Sequence, residues 1–314
     1  DTLIDVEEVI GGSFDDTFAF SSALDGGDYE VDGGAGGTNT IDLSNFASTA
    51  VTFWQDVDGD KNLTVDLGGG QSFEIEYENI ATIQFSDVDV TVLTANYSDP
   101  TFTGSGIFVD EGQAFRIDMT GSGTVAMAYD VTTDTFTVGS SSSTDSTTAL
   151  SITDLTGTDL VVGTLEVHGD LASITSNVDI DTIRIDGIDA TVSTVTIAGG
   201  AGTLGTYETV TGNLDTAVTI NANVTTVSLV ANAMADFTVN GDVGSLTVIN
   251  FDGVLDVTGD VDNLLLTKIM GPSATIGGDL GTFTATDIRA GLTVVGDLDT
   301  AVLSGFASGV EIVA

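Results

Sequence analysis

Four stretches decide the fold: Gly241-Asp242-Val243-Gly244-Ser245-Leu246-Thr247-Val248, Gly259-Asp260-Val261-Asp262-Asn263-Leu264-Leu265-Leu266, Gly278-Asp279-Leu280-Gly281-Thr282-Phe283-Thr284-Ala285 and Gly296-Asp297-Leu298-Asp299-Thr300-Ala301-Val302-Leu303. Each reads Gly-Asp, an aliphatic residue, a small or acidic residue, a polar residue, then apolar-x-apolar. The same landmark starts at Val162, Ile180, Leu204 and Val224, so successive starts from 162 to 298 lie 18, 24, 20, 19, 18, 19 and 18 residues apart. A second short strand pattern follows in most repeats, as in Val254-Leu255-Asp256-Val257-Thr258. A period near 18 with two short strands is the signature of a β-solenoid, in which one coil cannot bury its own apolar face and coils stack to share a core. Alternation places Val243, Leu246 and Val248 inward, and Asp and Gly take the turns. The rival arrangement, hairpins in a sandwich, has no reason to keep the period.

Outside the repeat the composition agrees. The chain has 314 residues, 41% of them hydrophobic, with 39 glycines and few helix-favouring residues. Val, Ile, Leu, Phe and Thr are strand formers. The expected fold is all-β: a β-roll-like unit over residues 1–98, a β linker or cap over 99–157 and a parallel solenoid with coils of 18–20 residues over 158–314. The polar run 139–148, GSSSSTDSTT, reads as a loop.

Charge limits function. Acidic residues number 48 against five basic ones, a net charge of -43. Repulsion of that size opposes a compact state unless cations or salt screen it. Phosphate backbones would be repelled, so nucleic acid is excluded as a partner. The absence of cysteine excludes disulfides, thiol catalysis and zinc-thiolate sites. No apolar run reaches membrane-spanning length, so no insertion into a membrane is expected. A first residue of Asp, not Met, reads as a fragment or processed product.

Two segments carry candidate chemistry. Residues 11–19 read Gly11-Gly12-Ser13-Phe14-Asp15-Asp16-Thr17-Phe18-Ala19. This meets four of the five fixed positions of the calcium-binding nonapeptide G-G-x-G-x-D-x-U-x, with Phe14 at the third glycine. A second copy runs from Gly33-Gly34-Ala35-Gly36, with one extra residue before Asn39 and Ile41 in the acidic and apolar roles; Asp25, Asp28 and Asp32 lie between the copies. Glycines let a turn approach a cation, and aspartate and carbonyl oxygens are hard ligands that suit calcium. The alternative is a plain Gly-Asp turn. The second segment is Asp56-Val57-Asp58-Gly59-Asp60-Lys61-Asn62. It has D-x-D-x-D spacing but lacks the sixth-position Gly and twelfth-position carboxylate of an EF-hand loop. It reads as a hairpin turn between strands 51–55 and 63–67, with a calcium loop as the alternative.

With these residues the chain resembles the RTX (repeats-in-toxin, haemolysin-type calcium-binding) family over about residues 1–95. Strand-like runs at 51–56, 63–70, 73–80 and 82–87 look like those that commonly follow RTX repeats. The resemblance implies calcium as cofactor, type I secretion, and a role as adhesin, toxin, exoenzyme or surface-layer protein. The metal positions expected on the nonapeptide copies and between them are Gly11, Gly12, Asp15, Asp16, Asp25, Asp28, Asp32, Gly34, Gly36 and Asn39; those of the calcium-loop alternative in the second segment are Asp56, Asp58, Asp60 and Asn62.

An enzyme is not expected. The only histidine, His168, falls inside a repeat, and a hydrolytic triad needs a base beside its nucleophile. Paired carboxylates could hydrolyse glycosides, but such sites also want aromatic platforms and basic groups, and Trp54 is the only tryptophan. Phe14, Phe18, Phe20, Phe53, Phe73 and Phe85 read as core residues. The expected function is a non-enzymatic, calcium-stabilised extracellular structural protein of a bacterial cell-surface assembly, a surface layer or filament. It would self-associate through solenoid ends or edges, and a cell-surface polysaccharide is a candidate partner. The alternatives are a stalk or binding module of a large secreted adhesin, and a secreted polysaccharide-acting enzyme.

Overall fold

The computed structural model of the chain describes residues 7–21, 26–56, 58–93, 97–110, 113–121, 125–130, 132–139, 148–155, 161–186, 190, 192–198, 202–211, 214, 216–229, 235–269, 273–289, 291–306 and 312–313. Among them there is no α-helix, and Ser48–Ala50 forms a single 3-10 turn. The fold is all-β with a parallel solenoid of stacked coils. The chain divides into two units, residues 1–95, 104–118 and 153–160 in the first and 96–103, 119–152 and 161–314 in the second. Residues 99–157 are thus shared between them. The loop at 140–147 lies outside the described residues.

In the second unit, eight long strands stack in parallel: Val161–Val167, Asp179–Asp186, Thr203–Thr211, Asn223–Leu229, Val243–Phe251, Val261–Ile269, Leu280–Ile288 and Leu298–Phe306. This broad sheet starts from an antiparallel group, Ser98–Phe102, Val125–Asp130 and Thr135–Val138, the last of which pairs in parallel with Val161–Val167. A narrow sheet faces it, built from the short second strand of each coil, among them Leu171–Ser176, Val192–Ile197, Val218–Asn221, Phe237–Val239 and Leu255–Val257. The landmarks fall in register: Val224 against Val243, Val243 against Val261, Val261 against Leu280, and Leu280 against Leu298. Val243, Leu246 and Val248 are buried; Leu246 and Val248 alternate, while the step of three from Val243 to Leu246 breaks the period of two at Gly244-Ser245.

The Gly-Asp step has a steric cause. Each aspartate bends its side chain onto the equivalent residue of the next coil. Asn223 Oδ1 accepts from the Asp242 N–H (2.9 Å), Asp242 Oδ1 from the Asp260 N–H (2.9 Å), Asp260 Oδ1 from the Asp279 N–H (2.8 Å) and Asp279 Oδ1 from the Asp297 N–H (2.9 Å). The residue before each receiving N–H lies beneath that carboxylate. A Cβ on Gly259, Gly278 or Gly296 would lie 2.2, 2.0 or 2.2 Å from the Oδ1 of Asp242, Asp260 or Asp279. Glycine is required there by close approach, and the aspartate replaces water as acceptor at a turn.

The first unit is a β-roll. Strands Glu8–Ile10, Asp28–Asp32 and Gln71–Glu78 pair in parallel on one side. Thr17–Ala19, Thr40–Leu43 and Thr82–Phe85 do the same on the other. The chain alternates between the sheets, so three coils form. Between the second and third, Val51–Gln55 and Lys61–Gly68 form an antiparallel hairpin that extends the first sheet beyond Gln71–Glu78. Its core holds Ile41, Leu43, Phe53, Leu63, Phe73, Ile75, Ile83 and Phe85. Phe18 and Phe20 are partly buried against this core, with Phe20 stacked on Phe73 at 5.9 Å. Phe14 corrects the expectation: it is 82% exposed. It occupies the glycine position of a turn, and a turn apex points to solvent, not to the core.

Gly278→Ala is expected to lower stability by about 1–3 kcal/mol, the range for overpacking a filled site. Asp260→Asn keeps the acceptor and removes one of the stacked charges, so it should leave the chemical-denaturation midpoint unchanged or raise it at low ionic strength.

Candidate functional site: an acidic face and turn column on the β-roll

The RTX-like residues sit where the roll turns from one sheet to the other. The first turn, residues 11–16, stacks on the second, residues 33–39: the Gly11 N–H donates to Asp32 O (2.7 Å), and the Thr40 N–H to Asp16 O (2.9 Å). The third layer is Asn79. The Gly33 N–H donates to Glu78 O at 2.9 Å, and the Ala81 N–H to Asn39 O at 3.0 Å.

Side chains tie the layers. The Gly12 N–H donates to Asp16 Oδ2 (2.6 Å), the Asp16 N–H to Asn39 Oδ1 (3.1 Å), and the Thr38 N–H to Asp15 Oδ1 (2.7 Å). Asn39 is buried and donates through Nδ2 to Asn79 O (3.0 Å) and Gly36 O (3.3 Å). Asp32 Oδ1 accepts from the Gly34 N–H (2.7 Å) and from Asn79 Nδ2 (2.8 Å). Gly34 has a φ of +79°, and a Cβ on it would lie 2.5–2.6 Å from the carbonyl oxygens of Gly12 and Gly11. Glycine alone serves both needs.

The hairpin segment forms its turn. Asp56 Oδ1 accepts from the N–H groups of Asp58 (2.9 Å) and Asp60 (3.0 Å), and Gly59 has a φ of +95°. Asn62 is buried and donates to Asp60 O at 2.9 Å. Asp28 lies on its strand, in register with Glu74. Asp25 lies outside the described residues.

The structure adds residues that motif reading passed over. On the outer face of the roll, Glu8 stands in register with Glu30 and Glu30 with Glu76; Asp32 stands in register with Glu78. Adjacent strands are about 4.8 Å apart, and like charges directly opposite are destabilising. A groove of about 370 Å³ at the strand ends gathers Glu8, Glu30, Asp32, Asp60, Glu76 and Glu78 with Lys61 and Asn79. The hairpin acid Asp60 and the roll acid Asp32, from separate sequence clusters, therefore share one groove. The signal was present as acids on alternate positions, Asp28, Glu30, Asp32 and Glu74, Glu76, Glu78. What the sequence lacked was the pairing that lays these rows side by side.

Two carboxyls respond oppositely. Glu76 is held above its ordinary value, first by desolvation and then by the charges of Asp60, Glu30 and Asp56. Asp32 is held below its ordinary value by the Asn79 side chain and the Gly34 N–H. Among the described residues no three acidic or histidine side chains converge as a closed metal cluster. The donor set is nevertheless chemically suited to a hard cation. In the turn column these donors are the Asp15 and Asp16 carboxylates and the carbonyl oxygens of Gly11 and Gly12, with Asp16 Oδ2 and Asp15 Oδ1 each accepting a main-chain N–H. His168 Nε2 lies 3.4 Å from Glu166 Oε2, and Glu166 Oε1 is in turn 3.6 Å from Arg184 Nε. Among the described residues no helix is long and apolar enough to cross a membrane. The chain matches no protein-family model, no curated protein and no solved structure.

A carboxyl with a raised folded-state value takes stability away at neutral pH, and the penalty is relieved as pH falls through that value. Glu76→Gln is therefore expected to raise the melting temperature at pH 7 and low salt. The gain should shrink as salt rises or as pH falls below the carboxylate range. Asp32 has the opposite sign: its contribution is present above the ordinary aspartate value and lost as pH falls through the lowered one. Asn79→Ala should move the Asp32 titration upward, read by NMR.

Proposed function

We propose that this chain is a non-enzymatic, calcium-stabilised structural protein of an extracellular assembly at a bacterial surface, a surface layer or filament. The observation that carries this reading is the in-register acidic face of the roll, Glu8–Glu30–Glu76 beside Asp32–Glu78, with Lys61 as the cation in its groove. Such a face is costly to hold together in water alone. A divalent cation with oxygen ligands relieves it and ties neighbouring coils in the same act. Cation binding to the folded roll would then be folding free energy. Calcium is favoured over other hard cations by the resemblance of the turns at 11–19 and 33–41 to RTX nonapeptides. Stacked coils with parallel edges supply the structural half of the reading, because a sheet edge pairs readily with another chain. Self-association through the solenoid follows from it. The same coils suit the stalk of a secreted adhesin, whose isolated chain would bind calcium but stay monomeric.

The test is a circular-dichroism melt in calcium, in chelator, and in chelator with sodium chloride at matched ionic strength, with light scattering on the same samples. Calcium at about 100 times its dissociation constant should add about 2.7 kcal/mol and induce association, where matched salt does neither. If salt reproduces the whole effect of calcium, the reading of specific cation sites falls. Calcium stabilisation without association at any protein concentration would leave the adhesin stalk in place of the assembly subunit.

A further inference from the structure

The narrow sheet of the second unit presents an outer face of a different kind from the roll. In its first column Ser173, Thr194, Thr219 and Thr238 stand in register, followed after Asp256 by Thr275 and Thr293. Two residues along each strand a second column runs through Thr175, Thr196 and Asn221. It continues through Asn240 and Thr258, whose N–H groups donate to Ile220 O (2.7 Å) and Val239 O (2.9 Å). Asp256 is the one charged residue at these positions, in a chain of net charge -43, and none of them is aromatic.

The array is held in place from both sides. Beneath it Ile174, Val195, Ile220, Val239, Val257 and Ile276 are buried in a close-packed core, which fixes the height of each strand. Across it, Asn240 Nδ2 donates to Asn221 Oδ1 (2.7 Å) and Asn221 Nδ2 donates to Thr196 Oγ1 (3.1 Å). Hydroxyls, amides and threonine methyls therefore repeat on a rigid grid, about 4.8 Å between coils and about 6.6 Å along a strand.

We propose that this face binds the surface of ice. A grid of small donors and acceptors that is uncharged but for Asp256 holds water oxygens at regular intervals. Oxygens on the faces of hexagonal ice repeat on closely similar spacings, so the waters ordered by successive coils join one lattice. The near absence of charge matters because an ionised side chain orients its own hydration shell, which a crystal of water must displace. A sugar polymer would be met by aromatic platforms, which this face lacks. A protein partner would want an apolar centre, which these hydroxyls and amides do not supply.

The experiment measures ice recrystallisation and thermal hysteresis with the full purified chain in calcium, against albumin at equal mass concentration. The wild-type chain should arrest recrystallisation and shape growing crystals. Thr219→Lys and Thr238→Lys should each raise the concentration needed by roughly tenfold or more, the size expected for a central contact, while Ser228→Lys on the broad sheet, in the row that carries Glu166, Arg184 and Glu208, should not. Thr238→Val keeps shape and strand propensity but removes the hydroxyl, and should weaken the effect with an unchanged circular-dichroism spectrum. A wild-type chain indistinguishable from albumin overturns the proposal. So does full activity in both Lys variants with native spectra, or co-sedimentation with microcrystalline cellulose without any effect on ice.

Discussion

Everything in this chain depends on one constraint: each coil must place its main chain so that the coil before it can bond to it. The aspartate ladder from Asn223 through Asp242, Asp260 and Asp279 to Asp297 meets that constraint at the turn, beside main-chain bonds such as Gly278 N–H to Gly259 O and Val261 N–H to Asp279 O. The β-roll meets it with Asp15 and Asn39, whose Oδ1 atoms accept from the N–H groups of Thr38 and Asp16, and Asn39 Nδ2 carries the link on by donating to Asn79 O. In both places a short side-chain oxygen accepts a main-chain N–H of the neighbouring layer, and glycine clears the space it needs.

This use of aspartate accounts for part of the extreme acidity. In the solenoid each turn carboxylate is a hydrogen-bond acceptor first and a charge second. On the roll the balance differs, because Glu8, Glu30 and Glu76 lie on strands whose main-chain bonds are already made. Their charges do no work in the turn and repel across the sheet, and desolvation together with that repulsion holds Glu76 above its ordinary value. Two populations of acids, one spent on structure and one held against it, coexist in one chain. Net charge alone could not separate them.

The solenoid was legible because its period is local. Gly241-Asp242 predicts its own turn, and Val243, Leu246 and Val248 predict their own burial. The Asp56–Asp60 turn was legible for the same reason, since both flanking strands lie within a few residues. The acidic face was not, because Glu8, Glu30 and Glu76 become neighbours only through pairing across 22 and 46 residues. Asn79 was missed because it belongs to no glycine motif, although it closes the column that two such motifs open. Phe14 misled because alternation was carried from the strand into a turn, where period two no longer holds.

The hairpin Val51–Gly68 has a consequence for how the molecule comes to be. It stands between the second and third coils, so Asp28–Asp32 and Gln71–Glu78 meet only after some forty intervening residues have been gathered in. Closing such a loop costs entropy before any strand bond rewards it, whereas solenoid coils recruit a segment about 18 residues away. Assembly of the chain should therefore run at two speeds: quick zippering through the repeats, and a slower nucleation in the roll that waits for the hairpin to form and dock.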